Sequence, residues 1–167
     1  AAVASKAVTW QQAMTQPNGL PPLFNDAAYG ISPSLAEIEA YATRLGLKIV
    51  KPSTEHLMDF PSSGYFRYDG DNYSFFGDAG QIGPDYIPGH GHCDMLNFAL
   101  FTGDKMVVVD TGISTYEVCN RRLHERSTAA HNTVQVGDLE QSEIWSAFRV
   151  ARRARITQRD VQLNSMT

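Results

Sequence analysis

Two histidines stand two residues apart in the run Pro88-Gly-His-Gly-His-Cys-Asp-Met-Leu-Asn-Phe98. On an extended backbone residues i and i+2 face the same way, so His90 and His92 can meet one ligand or one reacting group. Gly89 and Gly91 remove bulk beside each ring and let a ligand or a second backbone come close. A lone histidine is more often a satisfied structural residue; a pair at this spacing between glycines points as much to metal binding or catalysis as to a structural role. Asp110 ends the apolar run Met106-Val-Val-Val and lies 18 residues after His92, a separation that a hairpin can close. An aspartate there is also a common turn former. His131 opens Ala130-His-Asn-Thr133, another 21 residues on. Two histidines and one aspartate on neighbouring strands form a nitrogen and oxygen set that suits zinc.

Weaker signals surround this set. Tyr116, Arg121, Arg122, His124 and Arg126 cluster between Asp110 and His131. They read either as a solvated loop or as a site rim for an anionic substrate, because arginine forks match carboxylate and sulfate. Asp94 and Asn97 are placed to orient histidine rings, or merely to end a loop. Arg149, Arg153 and Arg155 alternate with apolar residues, as on a half-buried strand with one solvated face. Cys93 and Cys119 form no CxxC pair and read as buried free thiols.

The elements that must position these residues change character near residue 60. Before it, Val8 to Met14 and Ser34 to Leu45 are predicted helices. In the second, Ser34 and Glu37 match a capping box, and Gly46 supplies a left-handed end. Beyond it the pattern is strand-like: two aromatic strands within Gly64 to Asp78 joined by a turn at 69–72, then Met95 to Phe101, Lys105 to Asp110, His131 to Val136 and Ala147 to Ile156. Successive strands with short turns predict a mainly β chain, an antiparallel sheet or sandwich, preceded by a short helical segment. The expected division is 1–60, the end of a helical domain with its linker, and 61–167, most of a β domain.

Composition limits the alternatives. With 43% hydrophobic residues the 167-residue chain can build a core, which excludes low-complexity disorder. Apolar runs fall far short of the roughly 20 residues of a membrane span. A net charge of −4 gives no broad basic face for nucleic acid; only the five arginines after residue 140 form a local excess. The first eight residues lack a signal-peptide pattern and an initiating Met, and Gln162 to Thr167 is a polar run closing no element, so a piece of a longer polypeptide is expected.

The three ordered motifs, Pro88 to Phe98, Val107-Val-Val-Asp110-Thr-Gly112 and Arg126-Ser-Thr-Ala-Ala-His-Asn-Thr-Val134, together resemble the heparinase II/III-like polysaccharide lyases. Leu20-Pro-Pro-Leu-Phe-Asn-Asp-Ala-Ala28 and Gln141-Ser-Glu-Ile-Trp145 extend the likeness over about residues 15–155. The resemblance implies the end of an α/α toroid followed by an antiparallel β-sandwich, in a periplasmic or secreted bacterial enzyme. It implies β-elimination on an acidic, uronic-acid-containing polysaccharide such as a glycosaminoglycan or alginate. His92, Asp110 and His131 fall where the family binds an organising Zn2+. His90 falls at an active-site histidine, and Tyr116 is the candidate for an active-site tyrosine. Arg126 and Asn132, in the third motif, are the substrate-binding candidates. The toroid's catalytic residues would lie upstream, so the visible chain alone is not expected to turn over substrate. Two rival readings keep the motifs: a non-catalytic carbohydrate-binding or assembly module that retains the metal, and a metal-dependent hydrolase with Asp94 as base.

Overall fold

The computed structural model describes residues 2–53 and 55–163; the end of the polar run, 164–167, lies outside the described residues. Helix α1 (Ala2–Met14) and helix α2 (Leu35–Arg44) lead the chain. α2 begins as its sequence dictates: Ser34 accepts from the Glu37 amide while the Glu37 carboxylate accepts from the Ser34 amide. This reciprocal bonding satisfies amides that the first helical turn leaves without partners. Gly46 then adopts φ 65°, the left-handed conformation that lets its amide turn back onto Thr43 O.

Five strands follow, β1 (Leu57–Phe60), β2 (Tyr65–Asp69), β3 (Tyr73–Asp78), β4 (Asn97–Thr102) and β5 (Lys105–Val108), paired in sequence order and antiparallel throughout. The sheet therefore starts slightly ahead of the boundary expected at residue 60. In register, Arg67 faces Phe76 and Phe76 faces Ala99. Alternation sends Phe76, Ala99 and Phe101 to one face, where Met14 of α1 and Phe24 complete a buried cluster. Trp10 of α1 packs edge-on to Tyr65, and Phe24 stacks on the same ring. Arg67 ties helix to sheet by donating to Ala13 O and Thr15 O at the end of α1, carbonyls the helix cannot satisfy itself. The opposite face carries a ladder of half-buried rings, Phe66 on Phe75 on Phe98.

After β5 the sequence reading and the structure part. The connection expected as loop or rim contains a short helix, α3 (Asn120–Glu125), and a 3-10 turn at Thr128–Ala130. His131 to Val136 forms no strand. Side chains replace the ladder there: Asn132 Nδ2 donates to Phe98 O and Val109 O, and Gln141 Nε2 donates to Val134 O. Of the single strand expected over 147–156 only β7 (Arg149–Ala151) forms, pairing in a hairpin with β6 (Glu143–Trp145), which lies ahead of that range. Ser146 and Arg152, at φ 58° and 36°, interrupt the extended run on either side of β7.

Phe76 is fully enclosed whereas Phe98 is half-buried on the other face. Phe76→Ala is therefore expected to lower unfolding free energy by about 3–5 kcal/mol in denaturant titrations, and Phe98→Ala by clearly less. Equal losses would show that the helix-covered face is not the principal core.

Candidate functional site

The site is assembled at the loop ends beyond the sheet, around a residue the motif reading did not single out. Phe24, anchored in the core, is followed by Asn25 at φ 54°, a left-handed conformation that asparagine tolerates. Asn25 is held on several sides: its amide donates to Asp94 Oδ2, its Nδ2 to Asp78 Oδ2, and its Oδ1 accepts from the His92 amide. Those bonds leave the next side chain, Asp26, under the histidine loop. Asp26 Oδ2 lies 2.7 Å from His90 Nδ1, and Oδ1 lies 2.7 Å from His92 Nε2. Arg122 of α3 donates to both oxygens of the same carboxylate. Burial alone would raise the Asp26 pKa, but the bonds from His92, Arg122 and His90 outweigh it and hold it at about 2.

Arg122 is fully buried, with its Nε donating to Ala147 O. Its guanidinium carbon sits 5.2 Å from the Tyr116 ring centroid and 5.4 Å from that of Phe148. These two rings are 5.4 Å apart, and each is 5.9 Å from the His90 ring. His90, Tyr116 and Phe148 thus form a partly exposed aromatic cluster over a buried carboxylate–guanidinium pair. Gly91 lets the histidine loop pack closely on Ile82, since an added Cβ would stand 2.7 Å from Ile82 Cγ1.

Beneath this cluster is a buried group that can hold a cation. His92, Asp94 and His131 each offer a ligand atom, and these atoms lie within 4.8 Å of one another. His92 Nδ1 and His131 Nε2 are enclosed and have no hydrogen-bond partner; buried imidazole nitrogens without partners are unfavourable unless an ion or water meets them. The residues fit a metal on that observation. Asp110, the carboxylate expected from the sequence, is adjacent: both its oxygens face His131 Nδ1, at 3.0 and 2.9 Å. It also accepts from Asn97 Nδ2 and the Gly112 amide. Burial works against charge on His131, but Asp110 more than reverses that and raises its pKa. Burial, reinforced by the nearby Asp78 charge, pushes Asp94 up to about 7.

Of the sequence-derived candidates, the structure brings His90, His92 and Tyr116 together on one side and His92, His131 and Asp110 on the other. Arg126 and Asn132 lie in the supporting framework. Arg126 is fully buried and donates to Gly91 O and Ser146 O, so it braces the histidine loop from behind. Asn132 bridges β4 to the segment after β5 through the bonds described above. Asp26 and Phe148 were not among the candidates, and Arg122 was read only as part of a solvated loop or site rim. The available signal was the four-residue interval between Arg122 and Arg126, which on a helix puts both on one face. Cys93 is buried, as expected of it, and Cys119 only partly so.

Metal ligands must shed protons to bind. With zinc as probe, uptake by the chain is expected to weaken as pH falls through about 7, where Asp94 becomes protonated, and to be lost in His92→Ala and His131→Ala. Calorimetric titration across pH checks both; pH-independent uptake, or uptake surviving loss of either histidine, would remove this group as the site.

Residues 52–165 match the family model described as heparinase II/III-like, C-terminal. No curated protein matches the chain. Among solved structures, one titled heparinase III superposes with TM-score 0.64 at 18% identity, covering 86% of this chain and 27% of that one. Heparinase III described as the BT4657 gene product gives TM-score 0.61 at 19% identity, over 84% of this chain and 25% of that one. At these identities the superpositions establish a shared fold. The chain spans about a quarter of the length of these structures. With a mainly β, antiparallel architecture behind short helices and a family match over most of its length, the chain belongs to the heparinase II/III-like C-terminal domain family.

Proposed function

We propose that this chain forms the β-domain side of the active site of a polysaccharide lyase acting on a uronic-acid-containing polymer by β-elimination, with an α/α toroid of the same polypeptide on the other side. The observation that carries this reading is the exposed His90 ring, held at Nδ1 by a buried carboxylate and flanked by Tyr116 and Phe148. The C5 proton of a uronate is weakly acidic because its removal adds charge beside an existing carboxylate. A lyase must hydrogen-bond or neutralise that carboxylate before a base can act. His90 meets this need: its Nε2 side faces the substrate while Asp26 holds the ring by accepting from Nδ1. Tyr116, on the same rim, is in place to exchange a proton with the leaving oxygen, and the flat Tyr116 and Phe148 rings offer apolar area to a sugar face.

His92 and His131, with Asp94 or Asp110 as the carboxylate, would hold Zn2+. Bound there, zinc would supply a fixed positive charge that stabilises the buried carboxylates and ties the histidine loop to the segment after α3. β-Elimination uses no hydrolytic water, which favours this organising role over water activation. Arg126 serves the substrate indirectly, by fixing the backbone that presents His90, and Asn132 by tying β4 to the segment that carries Asp110. The presence of a heparinase III fold in the two solved structures supports a sulfated or plain uronate polymer as substrate class. Among the described residues no helix is long and apolar enough to cross a membrane.

In the polypeptide that joins this chain to its toroid, ultraviolet absorbance of unsaturated uronate products is the direct assay. His90→Ala is expected to lower kcat by roughly 10²–10⁴-fold with zinc content unchanged. Absence of product on glycosaminoglycans, alginate and related uronate polymers, with binding retained, would replace the lyase by a carbohydrate-binding module.

A further inference from the structure

Asp26 touches both histidine rings at once, from 64 and 66 residues away in sequence. An ionised carboxylate accepts hydrogen bonds and donates none, and the Arg122 guanidinium on both its oxygens keeps Asp26 in that form. Each ring nitrogen facing it must therefore carry a proton. In a neutral ring the lone pair is then on the far nitrogen, Nε2 for His90 and Nδ1 for His92. The two rings consequently point their lone pairs in different directions. The His90 side chain is 68% exposed, whereas that of His92 is fully enclosed. His92 Nδ1 is one of the partnerless nitrogens, and its ring centroid is 5.2 Å from that of His131.

We propose that Asp26 is the positioning residue of the site, fixing His90 as the Nδ1–H tautomer that presents Nε2 outward and His92 as the Nε2–H tautomer that presents Nδ1 to the buried metal group. The role of His90 in substrate binding rests on the lyase reading; its tautomer does not. A histidine side chain free in water favours the opposite, Nε2–H form, so an Nδ1–H His90 requires a specific acceptor, and Asp26 is the acceptor the structure supplies. The same carboxylate also explains a buried Arg122: it neutralises the charge that orients two imidazoles and would otherwise be enclosed with no counter-ion.

Nitrogen-15 NMR of the histidine rings tests this on the full chain, at a pH where they are neutral. The wild-type His90 ring is expected to show a protonated Nδ1 and a bare Nε2. In Asp26→Asn the ring is expected to revert to Nε2–H, and zinc affinity to fall by about 10–100-fold as the orienting partner of His92 is lost. A wild-type His90 found as Nε2–H overturns the proposal without any variant, so a failure of Asp26→Asn to fold leaves it decidable. An Asp26→Asn protein with an unchanged His90 tautomer overturns it equally. The expected tautomer in a protein that never cleaves a uronate polymer would sink the lyase reading and leave the positioning role of Asp26 standing.

Discussion

One buried carboxylate organises this site, and most of the surrounding structure can be understood as meeting its requirements. Asp26 accepts from two histidines of one loop and from an arginine of a helix far along the chain. Removing a carboxylate from water costs several kcal/mol even after relaxation, and the cost is offset only when partners approach with good geometry. Arg122 meets that condition with two nitrogens on the two oxygens, while Tyr116 and Phe148 cover the guanidinium and exclude water. The constraint runs both ways, because a fully enclosed arginine is tolerable only with a counter-charge. Helix α3 therefore has to dock where it does, and in docking it brings Arg126 against the backbone of Gly91.

The sheet supplies the rigid reference for this arrangement. Its covered face holds Phe24, and Phe24 fixes the turn that carries Asn25 and Asp26. Gly112, at φ 56°, lets the segment after β5 approach that turn so closely that a Cβ there would stand 2.3 Å from Ala27 O. Asp110 is two residues earlier on the same segment, and Asn97, at the start of β4, bonds it. The metal-fit group and the aromatic cluster thus share a foundation: the ends of β3, β4 and β5 below, the Asn25–Asp26 turn on one side and α3 on the other. His92 belongs to both, with Nε2 on Asp26 and its ring centroid 5.2 Å from that of His131. Any reaction performed on the exposed side is mechanically continuous with the buried side through that one ring.

The sequence was legible where local rules decide. The capping box at Ser34 and Glu37, the glycine end of α2, the aromatic strands on either side of residues 69–72 and the hairpin between β4 and β5 all follow from neighbours within a few residues. The reading failed where side chains replaced backbone partners. His131 to Val136 alternates like a strand, yet Asn132, Thr133 and Gln141 make the bonds a ladder would have made. Residues 147–156 alternate as well, but the left-handed backbone of Arg152 cuts the run. The short helix α3 was missed because six residues carry too little periodicity to distinguish a helix from a charged loop.

By itself the sequence determined the chemistry available: two histidines at a two-residue interval between glycines, an aspartate and a third histidine at motif distances, and a family likeness that the domain match bears out. It could not determine which groups meet, because proximity across 64 or 96 residues is set by packing and leaves no trace in spacing. Tertiary structure alone made Asp26 the hub and turned Arg122 and Arg126 from candidate rim residues into buried ones. It also brought Asp94 into the group that could hold a cation, beside Asp110. The physical reason is common to all of these. Buried charges must find partners, and the partners are whichever residues the hydrophobic core carries to the same place.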